Sequence, residues 1–137
     1  MNHPLSREIE IEPARTALLF VDAQKYNCTW DGGEYAHLSP AEKATRYGDF
    51  FRTFKDSALP NMVLLQQACR RAGIEVTYTV IESMTADGRD RSLDYKITGF
   101  NVPKGSPDAK MVDELPPIED EIVWPIWIAK NEKVMKS

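Results

Sequence analysis

The run Thr16-Ala17-Leu18-Leu19-Phe20-Val21 carries no charge, is apolar after its first residue, and stops abruptly at Asp22. Apolar residues in series, without polar alternation, predict a short strand buried on both faces, as in a parallel sheet. An aspartate that closes such a strand lies at its carboxyl end, where open α/β sheets bind their ligands. A carboxylate there can orient and deprotonate a nucleophile. It can equally accept hydrogen bonds from the loop that follows. Position alone leaves both readings open.

The rest of the chain repeats this theme. Residues 1–14 read as a polar lead-in, and residues 23–38, with Gly32-Gly33, as a loop. Ser39-Pro40-Ala41-Glu42 combines a capping serine, a proline at the first helical position and a glutamate that completes a capping box. Ala44, Tyr47, Phe51 and Phe54 then recur at helical spacing and predict one core-facing stripe. A second helix is predicted after Pro60, with Met62, Leu65, Cys69 and Ala72 on its apolar face and Gln66, Gln67, Arg70 and Arg71 mostly on the other. Gly73 supplies a left-handed stop. Ile74 to Glu82 is rich in β-branched and aromatic residues and predicts a second strand. Residues 83–106 read as a long loop, and Ser106 to about Leu115 as a short helix closed by Pro116-Pro117. Glu121-Ile122-Val123-Trp124 predicts a third strand. This order implies right-handed crossovers and a parallel sheet. It amounts to one half of a doubly wound fold.

Composition removes several classes of function. A chain of 137 residues fits one domain, and its net charge of −4 argues against nucleic-acid or anionic-membrane partners. The longest apolar run is far shorter than the roughly 20 residues that span a bilayer. Met1 to Pro13 lacks the apolar centre of a signal peptide. Cys28 and Cys69 make no disulfide framework, which predicts reduced thiols and a cytoplasmic location. His37 has no companion at metal-ligand spacing, and neither a phosphate loop nor Gly-x-Gly-x-x-Gly is present. No metal and no cofactor are therefore expected.

Three further groups could carry chemistry. Cys28, six residues beyond Asp22, could be a thiolate beside a base, but no cation or helix N-terminus accompanies it to lower its pKa. An ordinary loop thiol is the favoured reading. Cys69 reads as a small core hydrophobe. Arg89, Arg91 and Lys96 could hold a substrate carboxylate. Asp87, Asp90 and Asp94 interleave with them, which favours a solvated mixed-charge loop.

The stretch Thr16-Ala-Leu-Leu-Phe-Val-Asp22-Ala-Gln24 resembles the opening strand of isochorismatase-like cysteine hydrolases, whose catalytic aspartate stands in an Asp-x-Gln context. Pro60-Asn61, with Arg70-Arg71-Ala72-Gly73-Ile74-Glu75-Val76, is similar to their next helix and strand. Lys104-Gly105-Ser106, Val112-Asp113-Glu114-Leu115-Pro116 and Asp120-Glu121-Ile122-Val123 resemble the approach to their third strand, most of all in the ureidoacrylate amidohydrolase group. The resemblance runs from about Thr16 to Pro125. It implies a three-layer α/β Rossmann-like fold and hydrolysis of an amide, ureido or related bond by an aspartate–lysine–cysteine triad. On this basis Asp22 is the expected catalytic aspartate. Gln24 and Asn27, together with Arg89 and Arg91, are the expected substrate-binding residues.

The departures from that family are equally specific. Its lysine follows a proline, but Ile126 follows Pro125 here, and the nearest cation is Lys130. Its cysteine belongs to a second half, and neither Cys28 nor Cys69 matches it. Residues 124–137 leave the family pattern. The expectation is a single incomplete domain of about three strands, inactive alone towards a small amide or ureido substrate. The alternative is a binding or regulatory fragment that pairs with a full-length homologue. An incomplete sheet would leave the first strand at an edge, so marginal stability or self-association is expected.

Overall fold

The computed structural model describes residues 10–126; the start of the lead-in and most of the divergent tail, Lys130 included, lie outside them. Three strands, β1 (Ala17–Val21), β2 (Glu75–Ile81) and β3 (Val123–Ile126), form a parallel sheet in the order β1-β2-β3. The first three residues of the expected tail thus belong to β3. The α/β class and the parallel sheet are as expected, and β1 lies at an edge.

The burial of β1 differs from expectation. Phe20 is buried and Leu18 half-buried, while Ala17, Leu19 and Val21 are exposed. Alternate residues of a strand face opposite sides. The Leu18/Phe20 side packs with Val76, Tyr78 and Val80 of β2 against Leu59, Met62, Val63 and Cys69. Phe20 stacks on Tyr78, its register partner, with ring centroids 5.7 Å apart. Leu19 remains 51% exposed and Val21 63% exposed on the other side. Continuous apolarity marks a strand as fit for burial on both faces; the neighbours that achieve burial are a tertiary matter.

The helical layer is one long arm. Helix α2 (Pro40–Thr53) begins with the expected capping box, in which Glu42 N–H donates to Ser39 Oγ and Ser39 N–H donates to the Glu42 carboxylate. Instead of ending before Pro60, the arm runs through a π-helical turn, Phe54–Ala58, into α3 (Leu59–Arg71). Pro60 has no N–H to donate, and its ring crowds the carbonyl four residues back. The wide turn precedes that position, which is where such bulges relieve the conflict. Ala44 is exposed; Tyr47, Phe51 and Phe54 are half-buried. On α3 the core stripe is Met62, Val63, Gln66 and Cys69, whereas Leu65 and Ala72 face outward. Gly73 stops the helix with φ +70°, as expected.

Gln66 is buried because it has a polar partner. Its amide donates to Tyr78 Oη at 2.8 Å. Arg70, one turn on, makes two bonds of 2.8 Å to the Glu121 carboxylate and donates to Tyr78 Oη and to the Pro116 carbonyl. This network ties α3, β2 and the segment that leads into β3. It holds the Glu121 carboxyl below its ordinary range, chiefly through the Arg70 hydrogen bonds. Burial, with the hydrogen bond to Glu121 second, pushes the Tyr78 phenol up to about 12.

Two predicted loops contain structure, and one predicted helix is mostly absent. Residues 23–38 hold a helical turn, α1 (Lys25–Cys28), and a 3-10 turn, Gly33–Tyr35. Residues 83–106 hold α4 (Leu93–Thr98), capped by Ser92. After Ser106 only Pro107–Ala109 is helical, as a 3-10 turn. Residues 110–112 run extended instead, because their backbone pairs with residues 23–25. Lys25 N–H donates to Lys110 O, Val112 N–H donates to Ala23 O, and Gln24 bridges Met111. Met111, Val112 and Leu115 then enter the core.

Candidate active site at the end of the first strand

Asp22 continues the β1–β2 ladder by one bond, from its N–H to Thr79 O at 3.0 Å. Its φ is then +52°, in the left-handed region that Asp enters more readily than most residues. Such a turn swings the chain off the sheet edge and leaves the carboxylate at the strand end. The Thr79 hydroxyl donates to Asp22 Oδ1 at 3.0 Å. The Thr79 Oγ1 also accepts from Asp22 N–H at 3.3 Å. One β2 side chain thus grips both the backbone and the carboxylate. The hydrogen bond to the carboxylate comes across the sheet, not from the following loop.

Gln24 is fully buried. Its Oε1 accepts from Ile81 N–H, and its Nε2 donates to Ile81 O and to Asp108 O, both at 3.0 Å. The side-chain amide pairs with Ile81 as another strand's backbone would. It extends the sheet where β1 has ended and pins the 107–112 segment above it. Gln24 therefore builds the floor of the site; its donors and acceptor are taken up by backbone.

Cys28 is the thiol nearest this position. Its Sγ lies 4.0 Å from the backbone carbonyl oxygen of Asp22 and donates towards it. Burial pushes the thiol up to about 11; the hydrogen bond to the Gln24 backbone lowers it by less than burial raises it, and the Asp22 charge adds a still smaller rise. A thiol with that pKa is protonated at neutral pH, and the thiolate is the nucleophile. Cys28 also forms the wall of a groove with Trp30, Phe51, Phe54, Leu59 and Val112, and Asp22 is not among its walls. Cys69 is buried in the core.

The other expected residues stand apart from Asp22. Asn27 offers its backbone carbonyl to Tyr35 Oη at 2.8 Å, and its Oδ1 is buried with no partner among the described residues. Arg91 donates to Gly88 O at 2.9 Å and to Phe100 O at 2.8 Å, so it closes the loop around α4. Lys96 donates to Arg89 O, and Arg89 pairs with Asp87 on the surface. None of these cations bonds to Asp22, Gln24 or Asn27. Among the described residues, no three His, Cys, Asp or Glu side chains converge to hold a metal ion. No helix of the described residues is long and apolar enough to cross a membrane.

No family model matches the sequence, and no curated protein does. Among solved structures the chain is similar to a cysteine hydrolase from Pseudomonas syringae pv. phaseolicola 1448A. The identity is 27% and the TM-score 0.61, over 90% of this chain and 51% of that one. The chain has the α/β fold of about half of that cysteine hydrolase, with a three-stranded parallel sheet. An isochorismatase family protein from Desulfovibrio vulgaris subsp. vulgaris str. Hildenborough also aligns, with 23% identity, a TM-score of 0.48, and coverage of 79% of this chain and 50% of that one. The chain spans about half the length of the solved structures it matches.

Thr79 is the residue of this candidate site that sequence reasoning missed. It reads as an ordinary β-branched strand residue. Only the register Val21↔Thr79 brings it to Asp22, and no local pattern encodes a register between strands so distant in sequence.

Proposed function

We propose that this chain supplies the aspartate side of an isochorismatase-family hydrolase site that acts on amide or ureido C–N bonds, with Asp22 as the general base. The observation that carries the reading is the Asp22 carboxylate at the end of β1, gripped by Thr79, in a chain similar to a cysteine hydrolase. In such a reaction the carboxylate takes the proton of a thiol as the sulfur attacks the carbonyl carbon, returns it to the amine as the C–N bond breaks, and water then cleaves the acyl-thioester to release the acid and restore the thiol. The thiol must be activated. Of the two cysteines, Cys28 is held protonated by burial and Cys69 lies in the core. Cys28 turns its Sγ to the Asp22 backbone carbonyl and not to the carboxylate, so on this reading the chain by itself supplies a base without a thiol placed to lose its proton to it. Its two free thiols suit a reducing compartment, and we place it in the cytoplasm.

The test is ammonia release from a panel of N-carbamoyl and primary-amide compounds, with the chain, its Asp22→Ala variant and buffer in parallel. Three equal rates are expected. Turnover by the chain that vanishes in Asp22→Ala would show a working nucleophile and overturn the reading.

A further inference from the structure

A cavity of about 430 Å³ lies beside the sheet, between β2, β3 and the chain that joins them. All of its walls belong to that one crossover, and the open edge of β1 takes no part in it. Val80 and Val123 form its sheet side. Val123 faces the same way as Tyr78, its register partner, yet is 39% exposed. Above it the crossover is a 3-10 turn and extended chain rather than a long helix, which leaves β3 open on this face. Met111, Val112, Pro116 and Pro117 close the other sides. Thr79 points to the opposite face of β2, and its hydroxyl holds the Asp22 carboxylate there. The cavity and the candidate active site thus lie on opposite faces of the sheet. Its charged groups are few and unevenly used. Asp113 is taken by Lys25 at 2.7 Å. Glu82 accepts from Gly105 N–H through Oε1 at 2.7 Å. Glu82 Oε2 and the Lys110 ammonium have no partner among the described residues, and Lys110 is held by backbone bonds alone. A carboxylate and an ammonium thus border one apolar cavity without pairing with each other.

We propose that this cavity binds a free apolar α-amino acid, with its ammonium on Glu82, its carboxylate on Lys110 and its side chain against Val80, Met111, Val112 and Val123. Small-molecule sites of about 300–1,000 Å³ combine apolar walls with a few placed polar groups in this way. A zwitterion satisfies both charges at once through charge-assisted hydrogen bonds, which an apolar acid or an apolar amine does not. The side chain gains by leaving water, and Val123 gains the cover that the crossover does not give it. The site needs neither Asp22 nor a thiol, so it stands apart from the hydrolase reading.

The probe is L-phenylalanine, titrated into the isotope-labelled chain and followed by backbone amide chemical shifts. Saturable shifts are expected to concentrate at Glu82, Met111, Val112 and Val123. Hydrocinnamate lacks the ammonium and phenethylamine lacks the carboxylate. Each is expected to bind about tenfold more weakly, which is the worth of one charge-assisted hydrogen bond. Glu82→Gln keeps the oxygen that Gly105 uses, and Lys110→Met keeps the apolar stem, so both variants keep the fold, which far-UV circular dichroism checks. Glu82→Gln is expected to weaken phenylalanine about tenfold and to leave hydrocinnamate unchanged; Lys110→Met is expected to weaken phenylalanine equally and to leave phenethylamine unchanged. No saturable shift at millimolar phenylalanine overturns the proposal. Equal affinity for the three compounds overturns it as well, and so does either variant binding phenylalanine as the wild-type chain does.

Discussion

At the scale of single residues, the site is defined by what the neighbours of Asp22 are already doing. Gln24 shows this most plainly. The Asp-x-Gln pattern was legible, and it places a glutamine beside the carboxylate, but sequence does not say which way an amide points. Its three hydrogen bonds to backbone make it a folding element. Gln24→Glu keeps the shape and replaces two donors by an acceptor that faces the Ile81 and Asp108 carbonyls. A loss of about 3 kcal/mol is expected from the broken bonds and the buried charge, read from urea unfolding at neutral pH. If Gln24 served only to contact substrate, the midpoint would not move. Cys28 is a second case. The sequence places no cation beside it and favours an ordinary loop thiol; in the fold Arg52 and Lys55 line the same groove, and burial raises the thiol's pKa.

Elements were read well where a local rule decides them. The capping box at Ser39 and the glycine stop at Gly73 are set by a few adjacent residues, and both appear where expected. Faces and boundaries were read less well where partners decide them. Gln66 and Arg70 sit one turn apart on the core side of α3, and hydrophobic periodicity counts both as outward. They are drawn in by Tyr78 and Glu121, which lie 12 and 51 residues away from Gln66 and Arg70 respectively. This network has a pH signature. The Glu121 carboxyl titrates lower in the folded chain than its unfolded value of about 4.3. Its contribution is therefore complete above that value and disappears as the pH falls through the depressed folded one. Stability of the wild-type chain should drop over this acid range, and Glu121→Gln should flatten that part of the profile. Arg70→Ala should cost about 2–3 kcal/mol at neutral pH by removing charge-assisted bonds. Thermal or urea melts from neutral pH to below 4.3 check both; a profile unchanged by Glu121→Gln would remove the network from the account.

For the molecule as a whole, sequence order and strand count led to a parallel α/β sheet, and the sheet is there. The edge position of β1 followed from the same strand count; which of its two faces would be covered did not. Ala17 to Val21 looks like an interior strand because its composition suits one, and the exposure of Leu19 and Val21 reflects which elements pack on it. The same architecture puts Asp22, the proposed base, at a strand end with a half-buried thiol close by and, among the described residues, no cation bonded to it. That separation of base from nucleophile is the central claim, and Cys28 itself reports on it. The pH dependence of Cys28 alkylation by iodoacetamide, followed at the peptide level so that Cys69 is counted apart, measures the thiolate directly. The rate should still be climbing about tenfold per pH unit at pH 9, as a thiol pushed up to about 11 requires. A rate that has already levelled off by neutral pH would mean a thiolate beside Asp22, and with it a working nucleophile.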